Sequence, residues 1–260
     1  MPKKTENLDL YDEHEEVVSE GGKKVRRRGI FLLPNLLTTA SLFAGFFSIV
    51  SSIEGNFVNA GMAIFAAQIF DGLDGRVARL AKAESQFGAQ YDSLCDVISF
   101  GLAPALCVFL WGLESLGQAG WVFSFLFVAA AALRLARFNT NMGTEDTYFR
   151  GLPSPAAAAM ITYYVWTLSS LGVQEETVGF ALTVFTACLT GLVSVLMVIN
   201  IPYYSFKDLE KNKRVPFFSI LLAVFIFVLI SLDPPLVLVS CALLYTISGP
   251  IIWVVKNLRK

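Results

Sequence analysis

The length of the apolar runs constrains this chain more than any other feature. A helix crosses the hydrocarbon of a bilayer with about 20 predominantly apolar residues. Eight stretches approach or exceed that length, at roughly 30–53, 57–80, 92–113, 119–138, 155–172, 177–199, 215–232 and 235–255. In a chain of 260 residues that is 55% hydrophobic, such runs leave little room for a soluble domain. The expected fold is an all-α integral membrane protein of about eight transmembrane helices.

The formal charge of −1 conceals an asymmetry along the chain. If the first span starts inside and the spans alternate, all 20 Lys and Arg fall on the inner side. They lie between Lys3 and Arg28, from Arg76 to Lys82, from Arg134 to Arg150, from Lys207 to Arg214 and from Lys256 to Lys260. The outer loops hold Glu54, Glu114, Glu175, Glu176 and Asp233, with no basic residue. This is the positive-inside pattern, and it places both termini in the cytoplasm. Three regions are expected: a polar and basic tail over 1–28, a six-helix core over 29–200, and a loop with two additional spans over 201–260.

The tail is acid-rich to about residue 22 and reads as disordered. It lacks an early apolar region followed by a small-residue cleavage site, so a secretory signal is not expected. The basic cluster from Lys23 to Arg28 is a topology signal and is also suited to anionic lipid headgroups. Cys95, Cys107, Cys188 and Cys241 all sit in apolar runs without a Cys-x-x-Cys pair, so they read as small hydrophobes. The single histidine, His14, lies in the tail, which argues against histidine catalysis or a His-ligated metal. No nucleic-acid partner is expected.

Against this background four carboxylates stand out. Asp71 and Asp74 are spaced i, i+3, and Asp92 and Asp96 are spaced i, i+4, so each pair shares a helix face. The second span runs outward to inward and the third runs back, so a short turn around Glu84 to Gly88 brings all four to the inner edge of one hairpin. Carboxylates gathered there repel one another unless cations lie between them. Oxygen ligands suit Mg²⁺ or Mn²⁺, ions that commonly share a phosphorylated substrate. Gly72, Gly75, Ala78 and Gly88 are small enough to admit a ligand or a neighbouring helix, and Arg79 offers a guanidinium for a carboxylate or phosphate.

The pattern Asp-x2-Asp-Gly-x2-Ala-Arg-x8-Gly-x3-Asp-x3-Asp, from Asp71 to Asp96, resembles the signature of the CDP-alcohol phosphatidyltransferase family at each of its eight fixed positions. The resemblance implies that Asp71, Asp74 and Asp92 hold two divalent ions, Mg²⁺ or Mn²⁺, with Asp96 also touching one and serving as general base. It implies that Gly75, Ala78 and Arg79 line a pocket for the CDP diphosphate and nucleotide, and that Gly88 allows close packing. Pro34-Asn35-Leu36-Leu37-Thr38 is similar to the family's Pro-Asn-x2-Thr element, which puts Asn35 and Thr38 toward the nucleotide. An Asn and a Thr in a span are otherwise ordinary interhelical hydrogen bonders.

The signature fixes the donor and leaves the acceptor open. Arg134-Leu135-Ala136-Arg137-Phe138-Asn139, Phe149-Arg150-Gly151-Leu152-Pro153-Ser154-Pro155-Ala156 and Tyr203-Tyr204-Ser205-Phe206-Lys207 together resemble the membrane-spanning phosphatidylserine synthases. That resemblance implies transfer of the phosphatidyl group from CDP-diacylglycerol to L-serine, by a homodimer in the bacterial cytoplasmic membrane with its site facing the cytoplasm. Serine's carboxylate calls for a cation, and Arg134, Arg137, Arg150 and Lys207 lie on the correct side. Each also serves as a positive-inside anchor. Charge alone does not separate serine from glycerol 3-phosphate, and an inositol compound is the remaining acceptor in view. A divalent-cation transporter is the rival from another class. It predicts acids near the bilayer midplane and spread over several spans.

Overall fold

The computed structural model describes residues 16–20, 23–27, 32–81, 85–140, 148–204, 224–225 and 228–258. The helices are α1 (Leu32–Ile53), α2 (Phe57–Ala81), α3 (Gln86–Asp96), α4 (Ala103–Trp111), α5 (Gln118–Thr140), α6 (Ser154–Ser170), α7 (Phe180–Val198) and α8 (Pro234–Leu258). A π-helical turn, Val97–Leu102, joins α3 to α4, so the two form one rod. Short strands complete the described elements: β1 (Glu16–Glu20), β2 (Lys23–Arg27), β3 (Tyr148–Arg150) and β4 (Pro202–Tyr204).

The helices follow the apolar runs closely at most ends. Among the described residues, five segments are long and apolar enough to cross a membrane: Leu33–Ile53, Phe87–Trp111, Gln118–Thr140, Phe180–Val198 and Pro234–Leu258. α2 is equally long but carries Asp71, Asp74, Arg76 and Arg79 toward its C-terminal end, and α6 has only 17 residues. The expected span at 215–232 falls largely outside the described residues, as does Lys207. The third span differs from expectation at its start. Gln86–Gly88, read as a turn, already belong to α3, because Ser85 caps the helix by accepting a 2.8 Å hydrogen bond from the Gly88 N–H.

The tail also departs from expectation where it is described. β1 and β2 pair antiparallel with Glu16 opposite Arg27 and Glu20 opposite Lys23, an acidic strand against a basic one.

Core packing brings the helices into one bundle. α1 lies along α2, α2 on α6, α5 on α7, and α8 on α6. Gly45 of α1 rests on Ser99 of the π turn, where a Cβ would stand 2.5 Å from the Ser99 hydroxyl. Gly61 of α2 likewise accepts Trp166, whose Cβ would be 2.6 Å from an added methyl. In membranes, close approach of this kind takes over the role that hydrophobic burial plays in water. The π turn has a local cause. Pro104 has no N–H to donate to the carbonyl of Phe100 and its ring crowds that position, and the wider turn relieves the clash.

A second junction ties the start of α6 to the end of α7. Gly151 adopts φ +89°, a left-handed conformation suited to glycine. Its N–H donates to the Ile201 carbonyl at 2.9 Å, and the Leu152 N–H donates to the Leu196 carbonyl at 2.9 Å. β3 and β4 pair alongside, with Phe149 opposite Tyr203. The segment from Phe149 to Ser154 is thereby tied to the end of α7.

Candidate active site

Three carboxylates converge as their spacing predicts. Ligand oxygens of Asp71, Asp74 and Asp92 lie within 4.8 Å of one another. Asp96, one turn beyond Asp92, is buried, and its carboxyl sits within hydrogen-bonding reach of Asp71. The sequence sets each pair on one helix face, and the α2–α3 hairpin turns the two faces together.

The packing of α1 completes the arrangement. Thr38 is buried, and its hydroxyl donates to Asp74 Oδ2 at 2.7 Å while lying 3.2 Å from the Pro34 carbonyl. One hydroxyl hydrogen serves one strong bond, and the shorter contact to the carboxylate takes it.

A cleft of about 400 Å³ opens beside the acids. Its lining includes Asn35, Thr38, Gly75, Ala78, Arg79 and Gly88, together with Pro34, Asp74, Ser85, Ala89 and Asp92. All six residues expected around the nucleotide therefore border one space. A Cβ built at Gly75 meets no atom within 4 Å, so the backbone there is open to a ligand. At Gly88 the reason for glycine differs: a Cβ would stand 3.0 Å from Ser85 Oγ and 3.4 Å from Asn35 Oδ1.

The acids fit a metal centre on an observation independent of their number. Asp92 Oδ1 is buried without a hydrogen-bond partner. A buried carboxylate oxygen of this kind costs several kcal/mol, of order 1–3 or more, unless a cation meets it. Hard oxygen donors at this spacing suit a hard divalent ion.

Of the four basic residues expected at the acceptor, the two whose side chains are described separate in the structure. Arg134 is half-buried; its Nη1 donates to Ser154 Oγ at 2.7 Å, and its charge interacts with that of Asp96. Arg137 binds the end of α7, donating to the Val198 carbonyl at 3.2 Å and to Asn200 Oδ1. Arg150 is described by its backbone alone, as the last residue of β3. The structure thus brings Arg134 toward the acids and turns Arg137 to another helix end.

Several residues at the site escape sequence reading. Gln68, one turn before Asp71, donates to the Pro155 carbonyl at 2.9 Å and accepts from Tyr163 at 2.6 Å. Ser93 and Asn139 join α3 to the end of α5 through contacts of 3.0–3.1 Å. Ser85 carries a local signal for the helix start, since serine is a favoured N-cap residue. The other contacts carry no local signal, because each partner lies in a distant helix.

Fold and site together define a helical integral membrane protein with an acidic, metal-competent centre and an adjoining cleft at one end of a helical hairpin. The chain belongs to the CDP-alcohol phosphatidyltransferase family, whose profile matches residues 31–192. Among its curated relatives is the CDP-diacylglycerol–serine O-phosphatidyltransferase of Helicobacter pylori, 39% identical over 226 residues, covering 86% of this chain and 92% of the relative. The protein of the same name from Mycobacterium tuberculosis is 38% identical, covering 70% of this chain and 64% of the relative. The archaetidylserine synthase of Methanothermobacter thermautotrophicus is 36% identical, covering 66% of this chain and 69% of the relative.

Proposed function

We propose that this protein transfers the phosphatidyl group of CDP-diacylglycerol to the hydroxyl of L-serine, giving phosphatidylserine and CMP. The observation that carries the reading is the cleft itself, where six residues of the family pattern border one space beside the clustered aspartates. The names of the relatives support serine as acceptor. Arg134, bonded to Ser154 and within electrostatic range of Asp96, would offer a serine carboxylate a cation near the proposed base.

In this mechanism CDP-diacylglycerol enters sideways from the inner leaflet and lays its diphosphate in the cleft. Asn35 and Thr38 face the nucleotide, Gly75 and Ala78 leave room for the diphosphate, and the Arg79 guanidinium steadies the phosphates. Asp71, Asp74, Asp92 and Asp96 would hold a pair of Mg²⁺ or Mn²⁺ ions, whose charge offsets that of the diphosphate and the departing CMP. Thr38 keeps Asp74 turned inward. Arg134 orients serine through its carboxylate. Asp96 accepts the proton of the serine hydroxyl as that oxygen bonds to the β-phosphorus, and the bond from that phosphorus to the CMP oxygen breaks. Arg137 supports the end of α7, and Arg150 and Lys207 contribute positive charge on the inner side.

The reading places the protein in a bacterial cytoplasmic membrane as a homodimer, with both termini and the site facing the cytoplasm. The chain divides into a tail over 1–28, a catalytic core over 29–200 and a supporting segment over 201–260. The deciding experiment supplies purified protein with CDP-diacylglycerol and, in turn, L-serine, glycerol 3-phosphate and inositol, and follows CMP release. Release with glycerol 3-phosphate or inositol but not serine would move the acceptor while keeping the chemistry. Divalent-cation flux in liposomes without lipid synthesis would favour the transporter.

A further inference from the structure

Gln68 stands on α2 three residues before Asp71, so the two share a helix face. Its amide is held at both ends by α6. Nε2 donates to the Pro155 carbonyl at 2.9 Å, and Oε1 accepts from the Tyr163 hydroxyl at 2.6 Å. The orientation is forced. A carbonyl only accepts, so the amide nitrogen must face Pro155, which leaves the amide oxygen for the phenol to donate to. Tyr163 is buried, and its ring makes edge contacts with Phe65 of α2 at 6.3 Å and with Trp166 at 6.1 Å between centroids. Trp166 in turn rests on Gly61. Rings therefore set the separation of α2 and α6, and the Gln68 amide fixes their register.

That register matters because of how α6 begins. Ser154, the neighbour of Pro155 in the first turn, is fully buried, and its hydroxyl accepts from Arg134 Nη1 at 2.7 Å. A line of contacts thus crosses three helices: Gln68 of α2 to Pro155, Pro155 to the adjoining Ser154, and Ser154 to Arg134 of α5. One end stands on the helix of Asp71 and Asp74, and the other is a guanidinium. Hydrogen bonds in an apolar interior are costly to leave unmade. A slide of α6 along α2 would break the Gln68 bonds and carry Ser154, with its hold on Arg134, to a different depth.

We propose that Gln68 is a positioning residue for the acceptor: by fixing the first turn of α6 against α2 it sets, through Ser154, where the Arg134 guanidinium stands relative to the acidic centre. Tyr163 holds the amide in the orientation that makes the bond to Pro155. This rests on the reading of Arg134 as the partner of the acceptor's carboxylate.

The test uses the full-length protein in lipid nanodiscs with Mg²⁺. It compares wild type with Gln68→Met, Tyr163→Phe and Arg134→Lys, and with each of the first two combined with Arg134→Lys. Each is assayed for kcat, for KM toward L-serine and toward CDP-diacylglycerol, and for melting temperature. Gln68→Met keeps the length of the side chain and removes both polar contacts. It should raise the serine KM about five-fold, the scale of one lost hydrogen bond, with the CDP-diacylglycerol KM unchanged. Tyr163→Phe keeps the ring and the Gln68 bond to Pro155, so its rise should be smaller. In the Arg134→Lys background neither change should raise the serine KM further, because the group they place has already gone. A lowered melting temperature with unchanged serine KM in Gln68→Met would show packing alone and overturn the proposal. An equal rise in both backgrounds, or a matching rise in the CDP-diacylglycerol KM, would overturn it too. If Gln68→Met does not fold, Tyr163→Phe gives the same three readings. A raised serine KM in Arg134→Lys leaves the parent reading intact whatever the Gln68 variants show; an unchanged one would overturn the parent reading and this proposal with it.

Discussion

Thr38 and Asp74, 36 residues apart on different helices, meet through a 2.7 Å hydrogen bond that ties the α1 wall of the cleft to the acidic centre. The bond gives the Pro-Asn-x2-Thr element a physical task distinct from contacting substrate. It holds one carboxylate in a single rotamer while others crowd around it. Thr38→Val keeps the shape and removes the donor. Losing a bond to a charged acceptor costs about 1.5–3 kcal/mol, so the Mg²⁺ concentration for half-maximal activity should rise about ten-fold or more. Thr38→Ser should restore most of it. A Mg²⁺ titration of initial rates checks both.

Asp96 is the proposed base, and Asp96→Asn preserves its size while removing its capacity to take a proton. Turnover should fall at least about 100-fold, the lower range for general base catalysis. Binding of CDP-diacylglycerol should persist, as measured with radiolabelled lipid. Full turnover in this variant would remove Asp96 from that role.

Asp92 bears the buried oxygen without a hydrogen-bond partner. With cations stripped by excess chelator, activity should vanish and return on adding Mg²⁺ or Mn²⁺. In that stripped state Asp92→Asn should melt at a higher temperature than wild type, because one like charge has left the cluster. Adding Mg²⁺ should then raise the melting temperature of the wild type more than that of the variant. Equal cation-induced shifts in the two proteins would count against Asp92 as a ligand.

Arg134 and Arg137 look equivalent in the sequence and should behave differently. Arg134→Ala should raise the serine KM about ten-fold or more, the scale of a lost charged hydrogen bond. Arg137→Ala should leave that KM near wild type and lower the melting temperature, since Arg137 secures the end of α7 through Val198 and Asn200. Steady-state kinetics on both variants, alongside thermal melts, separates the two roles.

Gly61 tests the packing that sets the frame. A methyl there would press on Trp166 at 2.6 Å, so α2 and α6 would have to part. Overpacking of this kind costs about 1–3 kcal/mol. Gly61→Ala should lower the melting temperature. Because Gln68 joins the same two helices through Pro155 and Tyr163, it should lower kcat as well.

Much of the fold could be read directly. Apolar runs gave most helices with ends displaced by a few residues, because lipid contact demands an uninterrupted apolar stretch. α3 began earlier, at Gln86 rather than near Asp92, because a helix continues past the hydrocarbon wherever its cap allows. Hydropathy reports lipid contact, whereas Ser85 reports the helix start. The π turn after Asp96 follows from Pro104, whereas the contact of its Ser99 with Gly45 joins two separate helices and has no local signal.

The division at the site has one physical cause. Helical periodicity is local, so the sequence by itself determined that Asp71 pairs with Asp74 and Asp92 with Asp96, and that the hairpin returns both pairs to the same membrane face. Which distant groups meet those acids depends on the rotation and depth of separate helices, set by close contacts among small residues and rings. Only the tertiary structure decided that Thr38 grips Asp74, that Arg134 bonds Ser154 at the start of α6, and that Arg137 bonds the end of α7 instead.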